Sequence, residues 1–191
     1  MTITLSNTDM QDFFGEIGTS RIDNYILPGL SSIMLAGHFD AIASVRMFEN
    51  TRTQQGSITP HSHRFSLACC VLRGEVHNSL YSEATSPTAV GVDLDEYQAS
   101  TLKYMGTPGF YDRAPSHTGK WRKYGGKYGV GQWYFMRHDE IHSIDFSPDA
   151  RVLVIEGPDV TDTTLILEPV VNGEVVPTFK VEDWMFKKGT K

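Results

Sequence analysis

The chain reads as an all-β protein, a sandwich or barrel, and three observations predict this. The apolar residues fall in short runs of strand length, such as Leu67-Ala68-Cys69-Cys70-Val71-Leu72, without a helical stripe. Turn signals separate the runs, among them Arg73-Gly74-Glu75, Glu156-Gly157-Pro158 and Asn172-Gly173. Composition is that of a folded chain, with 40% hydrophobic and 21% charged residues in 191 positions, enough for one good core and short for two. A single domain is therefore expected over 1–191. It would have an N-terminal extension over 1–40, a barrel over 41–170 and a C-terminal hairpin and tail over 171–191.

Taken in order, residues 8–14 form a candidate short helix with Asn7 or Thr8 as its N-cap, and Ile26-Leu27-Pro28-Gly29 breaks any helix. Residues 41–50 read as a strand. The run from Leu67 to Leu72 reads as a buried strand; after the Gly74 turn, Val76-His77-Asn78-Ser79-Leu80-Tyr81 runs back half-exposed, which predicts a hairpin. Residues 97–105 form a further strand, 106–131 a glycine- and aromatic-rich loop or ribbon, and 132–135 resume strand. Arg151-Val152-Leu153-Val154-Ile155 and residues 163–167 are strands, and Val171-Asn172-Gly173-Glu174-Val175 carries the Asn-Gly hairpin signal. Trp184, Met185 and Phe186 are expected to anchor the C-terminus on the barrel.

A net charge of -6 with pI near 5.6 favours solubility and argues against nucleic acid as a partner. No apolar window is long enough for a membrane span, and Met1-Thr2-Ile3-Thr4-Leu5 lacks the features of a signal peptide. A cytoplasmic location is expected. Cys69 and Cys70 are adjacent and point to opposite faces of a strand, so they do not pair with each other. Reduced thiols fit a reducing compartment, and without a Cys-x-x-Cys pattern there is no thiolate zinc knuckle. Cys69 reads as a core thiol.

The chemistry concentrates in Thr59-Pro60-His61-Ser62-His63-Arg64-Phe65 and in the distant His142. Two histidines at i and i+2 project from one face of an extended segment and can reach one ion. A third from a facing strand completes a set that leaves coordination positions open. Imidazole suits Fe(II), Zn, Cu, Ni and Mn. His138 is a rival ligand four residues before His142, and His77 a candidate fourth ligand or orienting group. His38 and His117 read as solvated.

The pattern Gly56-x4-His61-x-His63-x3-Leu67-x6-Gly74 resembles the first motif of the cupin superfamily, and His142 falls where the second motif's histidine lies. The resemblance covers 56–158. It implies a cupin-type double-stranded β-helix, or jelly roll, with a three-histidine metal site similar to the cysteine dioxygenase type. Leu67 stands at the motif's glutamate position, the usual Pro-x-Gly is replaced by Arg137 and Asp139, and Phe146 replaces an asparagine. The His and Tyr that thiol dioxygenases carry on the next strand are missing from Val154-Ile155-Glu156-Gly157-Pro158, so activity on cysteine does not carry over. The segment 142–158 also resembles uncharacterised small cupin-like proteins of bacteria and phages.

The resemblance implies a non-haem Fe(II) oxygenase acting on a small anionic molecule, with the metal on His61, His63 and His142. A non-redox isomerase or hydrolase using Zn, Mn or Ni is the second class. A non-enzymatic ligand-binding or protein-interaction module with a structural metal is the third. Proximity in sequence nominates Arg64, Tyr81 and Arg137 to orient a carboxylate or phosphate. A homodimer is compatible with all three. Residues 116–128 pack four cations and three aromatics together. Gly119-Lys120 is followed by Trp121, so this is no Walker loop. The segment reads either as a lid over the barrel mouth that contacts an anionic ligand, or as an exposed hairpin with snorkelling side chains.

Overall fold

The computed structural model describes residues 20–23, 25, 28–37, 42–52, 56–84, 94–105 and 111–176. The expected helix at 8–14, His38 and the aromatic anchors Trp184 and Phe186 lie outside the described residues. Within them every regular element is a strand, thirteen in all.

Two sheets form. The first runs β1 (Ser20–Ile22), β2 (Leu30–Ala36), β3 (Ser44–Asn50), β11 (Arg151–Glu156), β5 (Leu67–Arg73), β9 (Trp133–Met136). The second runs β13 (Glu174–Val175), β12 (Thr163–Val171), β4 (Gly56–His61), β10 (Ile141–Phe146), β6 (Glu75–Glu83), β8 (Tyr111–Gly129), β7 (Leu94–Tyr104). The chain switches sheet at each step from β3 to β6 and again from β8 to β11. The strand order β3-β11-β5-β9 therefore faces β4-β10-β6-β8. Two interleaved four-stranded sheets in this order are the double-stranded β-helix, a jelly roll. β7 is inserted between the two halves. It pairs with β12 as well as β8, closing β12-β4-β10-β6-β8-β7 into a six-stranded ring.

Strand alternation gives the second sheet two buried faces. Toward the first sheet, Ile58, Val76, Ile144 and Phe146 pack with Val71, Val152 and their neighbours. Toward the inside of the ring, Tyr81, Tyr97, Ala99, Trp121, Ile141 and Leu167 form a separate core. The Asn-Gly hairpin is present: Asn172 and Gly173 have φ of 54° and 81°, and Val170 pairs with Val175.

One expectation is corrected and another narrowed. Residues 67–81 are not a hairpin. β5 pairs with β11 and β9, and β6 with β10 and β8, so the Gly74 turn carries the chain from one sheet to the other. Gly74 has φ 69°, and a Cβ there would lie 2.5 Å from Ser147 Oγ and 3.1 Å from Ala150 Cα, so the crossing is both left-handed and tight. Of the loop or ribbon expected over 106–131, the loop alternative is excluded over 111–129: this is one strand of 19 residues, paired with β7 over 111–122 and with β6 over 121–129. Its glycines break no strand, because Gly125 and Gly126 sit directly against Ser79 and Asn78.

Candidate metal centre

β4 ends at His61, which lies opposite His142 of β10 on one side and Ile166 of β12 on the other. The next five residues cross to the first sheet, and their backbone is tied down from three directions. Ser62 N–H donates to Leu165 O at 2.8 Å and His63 N–H to His138 O at 3.1 Å. The carbonyls of Arg64 and Ser66 accept from Val160 and Gly157 at 2.7 and 2.9 Å. A proline followed by His-Ser-His in such a pinned crossing holds His63 against the two strand histidines. The ring centroids lie 4.6, 4.9 and 5.0 Å apart for the pairs His61–His63, His61–His142 and His63–His142. One nitrogen from each ring lies within 4.8 Å of the others, and among the described residues this is the group suited to a metal ion.

Hydrogen bonds set the tautomers. His61 Nδ1–H donates to Thr59 O at 2.8 Å, and His142 Nδ1–H donates to Asn78 Oδ1 at 2.6 Å. Both rings are left with a lone pair on Nε2, the arrangement that prepares imidazole for a metal. Asn78 is itself oriented, since its Nδ2 donates to Met136 Sδ at 3.3 Å. His63 Nε2 stands 2.9 Å from His142 Nε2, about the spacing of adjacent nitrogens around an ion with bonds of ~2.0–2.1 Å. Burial disfavours the imidazolium and holds all three histidines below their ordinary range, His63 and His142 well below it. The donor set is three neutral imidazoles without a carboxylate, which fits a borderline divalent cation.

The three rings form one wall of a cavity of about 630 Å³ between the sheets. Leu67, at the position where a carboxylate was sought, lines the same cavity, with Phe65, Cys69 and Ile144. Arg64 is there too. Its guanidinium lies 4.2 Å over the Tyr104 ring, and Nη1 meets Asp159 Oδ2 at 2.8 Å.

Other nominated residues stand elsewhere. On β6, Asn78 and Leu80 face the first sheet, so Tyr81 faces the ring interior, where its hydroxyl meets Ser143 Oγ at 3.1 Å. Arg137 is on the surface, paired with Asp139. His77 shares the Tyr81 face and approaches Asp145. His138 lies in the β9–β10 turn, where its carbonyl rather than its ring serves the site. His117 pairs with Glu83. No residue of β8 lines the cavity, so the segment 116–128 is no lid over it; Lys120, Arg122, Lys123 and Lys127 are exposed on that strand.

Sequence reasoning missed Asn78, Arg46, Ser44 and Glu156, the last three also on the cavity wall. The signal for Asn78 was a polar residue between Val76 and Leu80 on one face of a strand. Arg46, sharing a face with Phe48, gave the same signal.

No protein-family model and no curated protein sequence matches the chain. Solved structures of similar shape include Streptomyces albus HEPD with 2-hydroxyethylphosphonate and Fe(II) bound, at 11% identity and TM-score 0.43 over 75% of this chain. The chain spans only 25% of that protein. A cupin superfamily protein from Desulfitobacterium hafniense DCB-2 is similar at 12% identity and TM-score 0.38, over 68% of this chain and 78% of that one. KdgF from Halomonas sp. is similar at 12% identity and TM-score 0.39, over 75% and 91%. On its own strand order, with histidines contributed by β4, the following crossing and β10, the chain has the cupin-type double-stranded β-helix fold.

Proposed function

We propose that His61, His63 and His142 hold one divalent metal, and that the protein is a non-haem Fe(II)-dependent oxygenase acting on a small molecule with an acidic group. The observation that carries this reading is the pair of fixed tautomers: His61 and His142 each spend Nδ1–H on a carbonyl oxygen, leaving their Nε2 lone pairs beside His63 Nε2. Bound Fe(II) would supply dioxygen-dependent redox chemistry at its open positions, whereas Zn, Mn or Ni would supply Lewis-acid polarisation for isomerisation or hydrolysis.

The chain's own residues would do the rest. Thr59 and Asn78 hold the rings in the ligating tautomer. Leu67, Phe65 and Ile144 keep the neighbouring wall apolar and exclude water. Arg64, fixed by Tyr104 and Asp159, adds a guanidinium to the cavity wall and favours a ligand with a carboxylate or phosphate.

The test is metal analysis of protein purified without a histidine tag, then anaerobic Fe(II) loading and oxygen-uptake measurements against a panel of small acids. Iron-dependent uptake with one class of acid is expected. Turnover supported by Zn or Mn and indifferent to oxygen would replace the oxygenase reading with the Lewis-acid one. Leu67→Glu adds a hard anionic group to the wall and should change metal preference or block turnover.

A further inference from the structure

A second polar site faces the same cavity. Ser44 and Arg46 on β3 meet Glu156 on β11, where Ser44 lies opposite Glu156 and Arg46 opposite Val154. Arg46 Nε donates to Glu156 Oε2 at 3.1 Å and to Ser44 Oγ at 3.2 Å, and Ser44 Oγ–H donates to the same carboxylate oxygen. The side chains of Arg46 and Glu156 are only 20% and 13% exposed, and all three residues line the cavity. Their mutual bonds consume one edge of each group. Among the described residues, the Nη1 and Nη2 atoms of Arg46 and Oε1 of Glu156 have no protein partner. These atoms are open to the cavity and are available to bond whatever enters it.

The same three residue types meet once more, with a different outcome. Arg113 contacts Ser100 and Glu168, but Glu168 is fully buried and none of the three lines the cavity. That set lies sealed within the second sheet, with Glu168 Oε1 buried and unpartnered, whereas the Ser44–Arg46–Glu156 set opens on a space large enough for a ligand.

We propose that Arg46 and Glu156, held together by Ser44, recognise a small acid that carries a hydrogen-bond donor on the atom next to its carboxylate, as α-hydroxy and α-amino acids do. The free Arg46 nitrogens donate to the carboxylate. Glu156 Oε1 accepts from the neighbouring hydroxyl or ammonium. A simple carboxylate satisfies only half of the site and sets its charge beside that of Glu156. A neutral alcohol leaves the guanidinium unpaired. This rests on reading the cavity as the ligand site and narrows the class of acid it takes.

The experiment measures binding of mandelate, phenylacetate and benzyl alcohol to the full, metal-free chain by calorimetry, with metal uptake measured separately. Mandelate should bind roughly tenfold or more tighter than phenylacetate, the gap expected for one charge-assisted hydrogen bond. In Glu156→Gln the gap should shrink to about threefold or less, with phenylacetate gaining because the opposing charge is gone. Ser44→Ala, which loosens the pair without removing charge, should narrow the gap in part, and it serves as the reporter if Glu156→Gln does not fold. Equal affinity for mandelate and phenylacetate in the natural chain, no saturable binding of either, or a gap unchanged in the variants would overturn the proposal. Selective mandelate binding by a chain that takes up no metal would instead sink the metal reading and leave this one standing.

Discussion

The two faces of the second sheet are built from the same strands and do opposite things. On β10, His142 and Ile144 face the first sheet and border the cavity, while Ile141 between β6 and β4 looks into the closed ring. On β6, Asn78 orients a histidine, while Tyr81 three residues later belongs to the aromatic ring core. One face keeps space and places the three imidazoles on its wall. The other is filled with Tyr81, Tyr97, Trp121 and Leu167. The ring core, closed by the inserted β7 and by β12, stiffens from behind the strands that carry the histidines. A constellation of metal ligands needs such support, because its side chains are useful only if their positions are fixed.

Truncation should expose the difference most strongly. Leu167 is fully buried in the ring core, and Leu167→Ala should cost ~3–5 kcal/mol because packed neighbours cannot collapse into the gap. Leu102 is 4% exposed but borders the cavity, and Leu102→Ala should cost nearer ~2 kcal/mol. Denaturant unfolding of the two variants checks this; equal losses would mean that the cavity wall is packed as tightly as the ring.

Gly125 links the two faces. A Cβ there would lie 2.1 Å from Asn78 O and 2.8 Å from Ser79 Cα. Gly125→Ala must therefore push β8 away from β6, and should cost ~2–3 kcal/mol while also disturbing the Asn78 contact to His142. Thermal melting with metal affinity measured alongside should show both effects; a stability loss with affinity intact would confine the damage to the ring side.

Cys69 sharpens the comparison from the cavity side. Burial pushes its thiol up to about 12. Between the unfolded value of ~8.5 and that raised value, the folded chain keeps a proton that the unfolded chain has lost. Its contribution to stability is therefore whole below pH ~8.5 and falls as pH rises. Melting temperature should decline above that pH, and the decline should be shallower in Cys69→Ala. Alkylation of native protein at pH 8 should leave Cys69 unmodified.

The smallest effect is expected on the outer ribbon. Arg122→Ala with Lys123→Ala should change stability by no more than ~0.5 kcal/mol each and leave metal content and acid binding untouched, since β8 does not reach the cavity. Calorimetry showing weaker acid binding would restore the lid.

These outcomes bear on what the sequence could tell. The all-β class, the Asn-Gly turn and the His61–His63 pair were legible because each rests on local spacing: His61 and His63 two apart, Asn172-Gly173 between valines; His142, 79 positions beyond His63, was matched to them only through the resemblance. The pairing of β5 and β6 was not legible. A turn between two apolar strands looks the same whether the strands pair or part to opposite sheets, and Gly74 permits both. Tyr81 and Arg137 were nominated by closeness in sequence, which strand alternation and a surface turn each defeat. Arg46 and Glu156 lie 110 positions apart, and only the β3–β11 register brings them together.

The central claim is that three imidazoles, two of them fixed by partners on two strands, make one metal site. Metal stoichiometry of the untagged chain tests it most directly, compared across His61→Ala, His63→Ala, His142→Ala and His77→Ala. The account predicts one divalent ion per natural chain and per His77→Ala chain, with at least a tenfold loss of affinity in each of the other three. Retention of metal by His142→Ala, or its loss in His77→Ala alone, would contradict it.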